Sequence, residues 1–289
     1  MKKIFIYIMV FLSVGVAVTS CSKDEDVDLS APILGLGGDK WVKNDIDKWL
    51  DTAFVDPYNI EVKYRWDPFE VDVNKTLVPV FEDMVVPVMS MVKTTWIEPY
   101  NKVIDPAFIK KYCPKQFQLV GSAEWNTNNT ITLGTAEGGR KIVLFQINSY
   151  DETDREQIEQ MLHTIQHEFA HILHQNKEFS TEYRNITPTG YSANWQLDTN
   201  PTKALNEGFV TPYSRSNEFE DFVEMVSTML VMGKPRYDTM IDGITNATGK
   251  ANLRKKEQMV VDYFKNSWAI DFYQLQTEVQ LGIQKVMTR

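Results

Sequence analysis

Cysteine is almost missing from this chain of 289 residues: there are two, Cys21 and Cys113. A disulfide-stapled scaffold is therefore excluded, and stability must come from a packed core. Basic blocks are missing too. Lys and Arg number 30 against 39 Asp and Glu, a formal charge of −9, which argues against nucleic acid as a partner. There is no internal repeat and no low-complexity tract. One long apolar run exists, Ile4 to Val18, and it is too short to span a bilayer comfortably. Histidine is scarce as well, with four in all. That scarcity is informative, because His163, His167, His171 and His174 fall within one short stretch.

That stretch contains His167-Glu168-Phe169-Ala170-His171, an H-E-x-x-H pentad. On a helix, residues four apart share a face, so both imidazoles can reach one metal ion. The intervening Glu168 is then placed beside the metal's open position, where it can take a proton from a bound water. The pattern predicts a zinc-dependent hydrolase, most often a peptidase. Ile158, Met161, Leu162, Ile165, Phe169 and Ile172 recur at helical spacing and predict a core stripe. Thr153 with Glu156 reads as a capping box at the helix start. On the wheel, His167 and His171 lie roughly opposite the stripe and Glu168 to one side. The metal side is expected to face outward into a cleft.

The N-terminus reads as a targeting segment. Lys2 and Lys3 precede the apolar run, as in a signal peptide covering residues 1–20. The run ends in Val18-Thr19-Ser20-Cys21, which resembles a bacterial lipobox. That resemblance implies lipid on the Cys21 thiol and cleavage just before it, leaving Cys113 without a partner. Ser22-Lys23-Asp24-Glu25-Asp26 is similar to the acidic surface-export signal of Bacteroidetes lipoproteins; a solvated tether is compatible with it. Residues 21–40, with Gly35-Leu36-Gly37-Gly38, read as an acylated N-terminus and flexible linker.

The remainder divides by pattern into an N-terminal α+β lobe, 41–150, and a helical lobe, 151–289. A short helix is expected over 41–53, a strand over Asn59 to Trp66, and a long helix from about Leu77, with breaks near Pro87 and Pro99. Thr130 to Leu133 and Lys141 to Ile147 read as a hairpin across Ala136-Glu137-Gly138-Gly139. The strand before the motif helix either lines a substrate cleft or is an ordinary core strand. Residues 176–216 are polar and loop-like, and helices are expected near 217–231, 251–267 and 270–286.

A catalytic zinc site has three protein ligands and a water. No histidine follows His174, and His174 and Lys177 stand where a metzincin has Gly and His. The third ligand is therefore expected to be a later carboxylate. In Asn217-Glu218-Phe219-Glu220-Asp221-Phe222-Val223-Glu224, Phe219, Phe222, Val223, Val226, Met229 and Leu230 predict a buried stripe. Glu218 and Glu220 flank that stripe, and Asp221 points away. Geometry leaves Glu218 and Glu220 open.

The run from Tyr213 to Glu224, with the pentad, resembles the catalytic zincin domains of the anthrax lethal factor type. The resemblance implies Glu220 as third ligand, Tyr213 as a hydroxyl steadying the tetrahedral intermediate, and Glu224 as the carboxylate holding a zinc-bound imidazole. His163 and His174 are read as cleft-lining or surface residues. More widely, Phe54-Val55-Asp56-Pro57-Tyr58-Asn59-Ile60, the lipobox, the pentad and the Glu-Asp-Phe-x-Glu pattern resemble the substrate import-associated zinc metallohydrolase lipoproteins of Bacteroidetes. The resemblance implies a gluzincin-like α+β zincin with a small mixed sheet, one Zn2+ per chain, and a peptide or protein substrate. It also implies a lipid anchor in the outer membrane at the cell surface, beside a TonB-dependent transporter and a glycan-binding lipoprotein. Two other classes stay open: a zinc hydrolase of a non-peptide amide, and a non-catalytic binding component of an uptake complex.

Overall fold

The computed structural model describes residues 41–72, 74–125, 131, 132, 134–137 and 140–288. The expected signal segment, Cys21 and the linker lie outside the described residues, as do Thr130, Leu133, Gly138 and Gly139. Lys43–Arg289 forms one compact unit. It is a mixed α/β fold, mostly helical, with a small and largely parallel sheet.

Helix α1 starts behind a capping box of Asn44 and Asp47. It runs Asp45–Leu50, widens through a π-helical turn Asp51–Val55, and closes with Asp56–Tyr58. Helix α2 repeats the device: Glu82–Val92, a π-helical turn Lys93–Ile97, then Glu98–Val103. In each, the π turn comes just before a proline, Pro57 or Pro99. The widened register moves the preceding carbonyl away from the ring, so neither proline ends its helix. Pro87 also sits inside α2. The expected breaks near Pro87 and Pro99 are thus absent, and the helix expected at 41–53 reaches Tyr58. Helix α3 is Pro106–Tyr112.

The four-stranded sheet has the order β1 (Glu61–Lys63), β2 (Gln116–Leu119), β6 (Lys141–Leu144), β5 (Gly134–Glu137). The first two pairings are parallel, and β5 runs antiparallel at the edge. Val62, Phe117 and Ile142 stand in register, as do Leu119 and Leu144, and all belong to the main core. The alternate positions face the other way, where Val143 packs with Val120, Phe145, Val71 and Leu77. A separate pair joins β3 (Glu124–Trp125) to β4 (Ile131–Thr132). The expected hairpin is therefore shifted: Ala136 and Glu137 belong to its first strand rather than its turn, and Ile131–Thr132 pairs elsewhere. The strand expected over 59–66 shrinks to three residues, because Asn59 takes the left-handed conformation that ends α1, with φ 56°.

The motif helix, α4, is Arg155–Asn176. Its cap is Asp154, whose carboxylate accepts from the Glu156 and Gln157 amides, rather than Thr153 with Glu156. Thr153 instead donates its hydroxyl to Asp151. Helix α5 (Pro201–Glu207) interrupts the expected loop region, and α6 (Glu218–Met232) packs along α4. Helices α7 (Lys234–Asp242), α8 (Ala247–Trp268) and α9 (Phe272–Met287) complete the chain. Helix α9 lies so close to the π turn of α2 that a Cβ on Gly282 would stand 2.6 Å from the Thr94 carbonyl oxygen. No helix of the described residues is long and apolar enough to cross a membrane.

Phe169, the third residue of the pentad, anchors α4 from below. It meets Trp96 at 5.3 Å, Tyr100 at 5.1 Å and Phe108 at 6.1 Å, each near perpendicular. Tyr100 also donates to Gln166 Oε1 at 3.0 Å. The residue that fixes the height of the two histidines is thus held by aromatic packing. Phe169→Ala should cost about 3–5 kcal/mol of stability, the usual range for a buried phenylalanine. Denaturant unfolding checks this, and a loss under about 1 kcal/mol would contradict the packing described.

Candidate metal centre

Helix α4 turns His167, Glu168 and His171 toward α6, which supplies Glu220 from its first turn. Asn217 caps that turn, accepting from the Phe219 and Glu220 amides. His167 Nε2 lies 3.1 Å from Glu220 Oε2, and His171 Nε2 lies 3.3 Å from the same oxygen. Ligands held about 2.0–2.1 Å from a tetrahedral zinc are roughly 3.3 Å apart. Glu220 Oε2 thus already stands at that separation from both imidazole nitrogens, the three ligand atoms lie within 4.8 Å of one another, and their chemistry suits such an ion. Glu168 is half-buried beside them, and burial lifts its carboxyl above the ordinary value, with His167 and His171 opposing. Burial would raise Glu220 as well, but hydrogen bonds with His167 and His171 bring it down to about 2.

The other ring nitrogens are fixed from behind. His167 Nδ1 is 2.8 Å from Glu224 Oε1, and His163 Nε2 reaches the same oxygen at 2.9 Å. The second Glu224 oxygen accepts from the Thr211 hydroxyl at 2.6 Å. On the far side, His171 Nδ1 lies 3.0 Å from His174 Nε2. Burial, then the neighbouring His171, pushes His174 down to about 4, so it is neutral and its Nε2 can accept a hydrogen bond from His171 Nδ1–H. Each pentad histidine therefore has its Nδ1 engaged and its Nε2 aimed at Glu220, the orientation that a ligating imidazole needs.

His163, His167 and Glu224 form a second group with three donors close together. It is the weaker candidate, because Glu224 already carries Thr211 and two imidazoles and is buried to 4% exposure. Of the two residues expected to line a cleft or surface, His174 is buried and engages His171, while His163 stays part-exposed and joins Glu224. The signal was present, since His163 stands four residues before His167 and His174 three after His171.

Tyr213 stacks on the His167 ring, with centroids 5.9 Å apart and planes at 24°. Its phenol is raised by burial and by the Glu220 carboxylate, so it remains a donor. Glu218 belongs to neither donor group. Glu207 lies 3.5 Å from Arg215, and Glu182 is exposed. Two wheel readings fail. Asp221 does not point to solvent; it is fully buried, 2.6 Å from an equally buried Lys256, with Tyr191 donating to it at 2.9 Å. Phe219 is not in the core stripe; it is 49% exposed. Beyond its first turn helix α6 is enclosed on almost every side, so a wheel with one buried face misplaces Asp221, while Phe219 stands in the first turn, where the helix is open.

Such a fold, with two histidines and a glutamate converging from paired helices, defines a chain of the zinc-binding class. A family described as "Putative zinc-binding metallo-peptidase" matches residues 39–273, and the chain belongs to it. A crystal structure from Bacteroides caccae ATCC 43185, described as "a putative zinc-binding metallo-peptidase", is 33% identical to the chain. The similarity covers 84% of this chain and 93% of that one, with a TM-score of 0.74. No curated protein matches.

Glu224→Ala and His174→Ala should each weaken zinc binding about 10–100-fold, the cost of losing a group that orients a ligand. Competition against a chelator measures it. Unchanged affinity in both variants would deny them the supporting role.

Proposed function

We infer that this chain is a zinc-dependent peptidase of the gluzincin-like zincin type. One zinc per chain is held by His167, His171 and Glu220. The observation that carries the reading is the convergence of both Nε2 atoms on Glu220 Oε2, at 3.1 and 3.3 Å, with Glu168 alongside. When bound, zinc supplies Lewis acidity to the scissile carbonyl and the attacking water. Glu168 accepts the proton of that water and delivers it to the leaving amine; its raised carboxyl suits a group that must both take and give. The Tyr213 phenol donates to the oxygen that gains charge. Glu224 keeps His167 turned and accepts from its Nδ1–H. Strand β5, at the sheet edge and packed against α4, offers its outer backbone to an extended peptide.

The sequence supports the placement. The lipobox at Cys21 and the acidic run after it favour a lipid-anchored protein of the outer membrane, exposed at the cell surface. The resemblance to import-associated lipoproteins favours a role beside a TonB-dependent transporter and a glycan-binding lipoprotein. The substrate in this reading is a peptide or protein.

Elemental analysis of the full chain should find about one zinc. Glu168→Gln should keep that zinc and lose about 10²–10⁴-fold in turnover, the usual worth of a general base. Glu220→Ala should be nearly metal-free, and Glu218→Ala close to unsubstituted. Wild-type zinc affinity in Glu220→Ala would overturn the ligand set; full activity in Glu168→Gln would overturn the base. Mass spectrometry should find an acylated cysteine at the native N-terminus, and a free Ser22 there would reject the anchor.

A further inference from the structure

The candidate ligands lie in the middle of a row of rings. Trp195 meets Tyr213 edge-on at 5.0 Å, and Tyr213 stacks on His167 at 5.9 Å. His167 meets His171 at 4.9 Å, and His171 meets His174 at 5.2 Å. Phe219 then stacks on His174 at 5.4 Å, with planes 13° apart. The inner rings are accounted for by the metal centre. Phe219 and Trp195 are not, and Tyr213 is so only through its hydroxyl. Phe219 is 49% exposed on a helix that buries nearly all its other apolar side chains, and Tyr213 is 36% exposed. Trp195 sits on a short 3-10 turn, Trp195–Leu197, whose Leu197 is 87% exposed. Apolar groups left open on both sides of a reaction centre, Phe219 on one and Tyr213 with Leu197 on the other, mark a surface that receives something.

We propose that this row is a substrate platform: the chain cleaves internal peptide bonds flanked by aromatic or large aliphatic side chains. Phe219 receives the side chain on one side of the scissile bond, and Trp195 with Tyr213 the one on the other. The inference rests on the peptidase reading and specifies its substrate. The chemistry is hydrolysis. The water oxygen bonds to the carbonyl carbon, the C–N bond breaks, and the amine leaves with the proton that Glu168 delivers.

Three features favour this substrate. Aromatic rings attract other rings and alkyl chains by edge-to-face and stacked contact at 4.5–7 Å, the spacing the row already shows. Arg215, on the turn of Tyr213, lies between Asp198 and Glu207 at 3.5 Å from each. Its charge is thereby committed, and that turn offers no ready cation to a terminal carboxylate. Glu168 and Glu220 disfavour acidic side chains at the same place.

The test uses the full chain with its zinc and a random peptide library blocked at both ends, products being read by mass spectrometry. Cleavage should concentrate at bonds flanked by Phe, Tyr, Trp, Leu or Met. Phe219→Ala and Trp195→Ala should keep their zinc. Each should lower the rate ratio of a phenylalanine-bearing peptide over its glycine counterpart by about tenfold, each on its own side of the bond. An equal fall on both peptides marks a merely structural role and overturns the proposal. Cleavage without apolar preference, or only of peptides with a free terminus, overturns it while leaving the peptidase reading standing. If no peptide is cut but a glycan-linked amide is, both readings fail together.

Discussion

One buried carboxylate organises the centre. Glu224, on α6, joins His163 and His167 of α4 and the Thr211 hydroxyl of the preceding loop. A carboxylate at 4% exposure is costly unless every lone pair is engaged, so the two helices and the loop must meet in one register. That register sets everything above it. With His167 turned by Glu224, its Nε2 faces Glu220 one helical turn away, and His171 falls in beside it. Glu224 is thus the hinge pin on which helix packing and site chemistry coincide.

The rest of the structure keeps this pairing from slipping. Below α4, Phe169 is wedged among Trp96, Tyr100 and Phe108. Behind α6, the buried Lys256–Asp221 pair ties α8 to the residue after Glu220, and Lys256 also donates to the Gly208 carbonyl at 2.7 Å. Tyr183 donates to the Asp221 carbonyl at 3.1 Å. The long loop between α4 and α6 is therefore anchored at several points to the turn that carries Glu220. A buried ion pair is weak evidence of stability, since its desolvation offsets its attraction. Its plainer effect is geometric: only one docking of loop, α6 and α8 satisfies both charges.

How much of this was readable in the residues follows from the physics of each signal. The pentad was, because the i, i+4 spacing fixes two side chains on one face wherever the helix sits. The start of α6 was too, since a clear apolar run placed a helix near 217–231, and α6 is Glu218–Met232. Helical phase alone did not choose between Glu218 and Glu220; the structure brings Glu220 to both imidazoles. Asp221 and His174 were read as lying outside the core, and the partner of His163 was missed, for a shared reason. A helical wheel assumes one buried face, and α4 and α6 are buried on two. The partners that decide the matter, Lys256 for Asp221 and Glu224 for His163, lie 35 and 61 residues away, beyond any local pattern. The π-helical turns before Pro57 and Pro99 were hidden for the opposite reason: proline suggested a break, and the helix absorbed it by widening.

The central claim is that one zinc sits between the Nε2 atoms of His167 and His171 and the Glu220 carboxylate. An anomalous difference map at the zinc edge, from crystals of the full chain grown without chelator, tests it directly. The account predicts a single peak about 2.0–2.1 Å from those three atoms, with Glu224 outside the ligand sphere. A peak among His163, His167 Nδ1 and Glu224, or none at all, would contradict it.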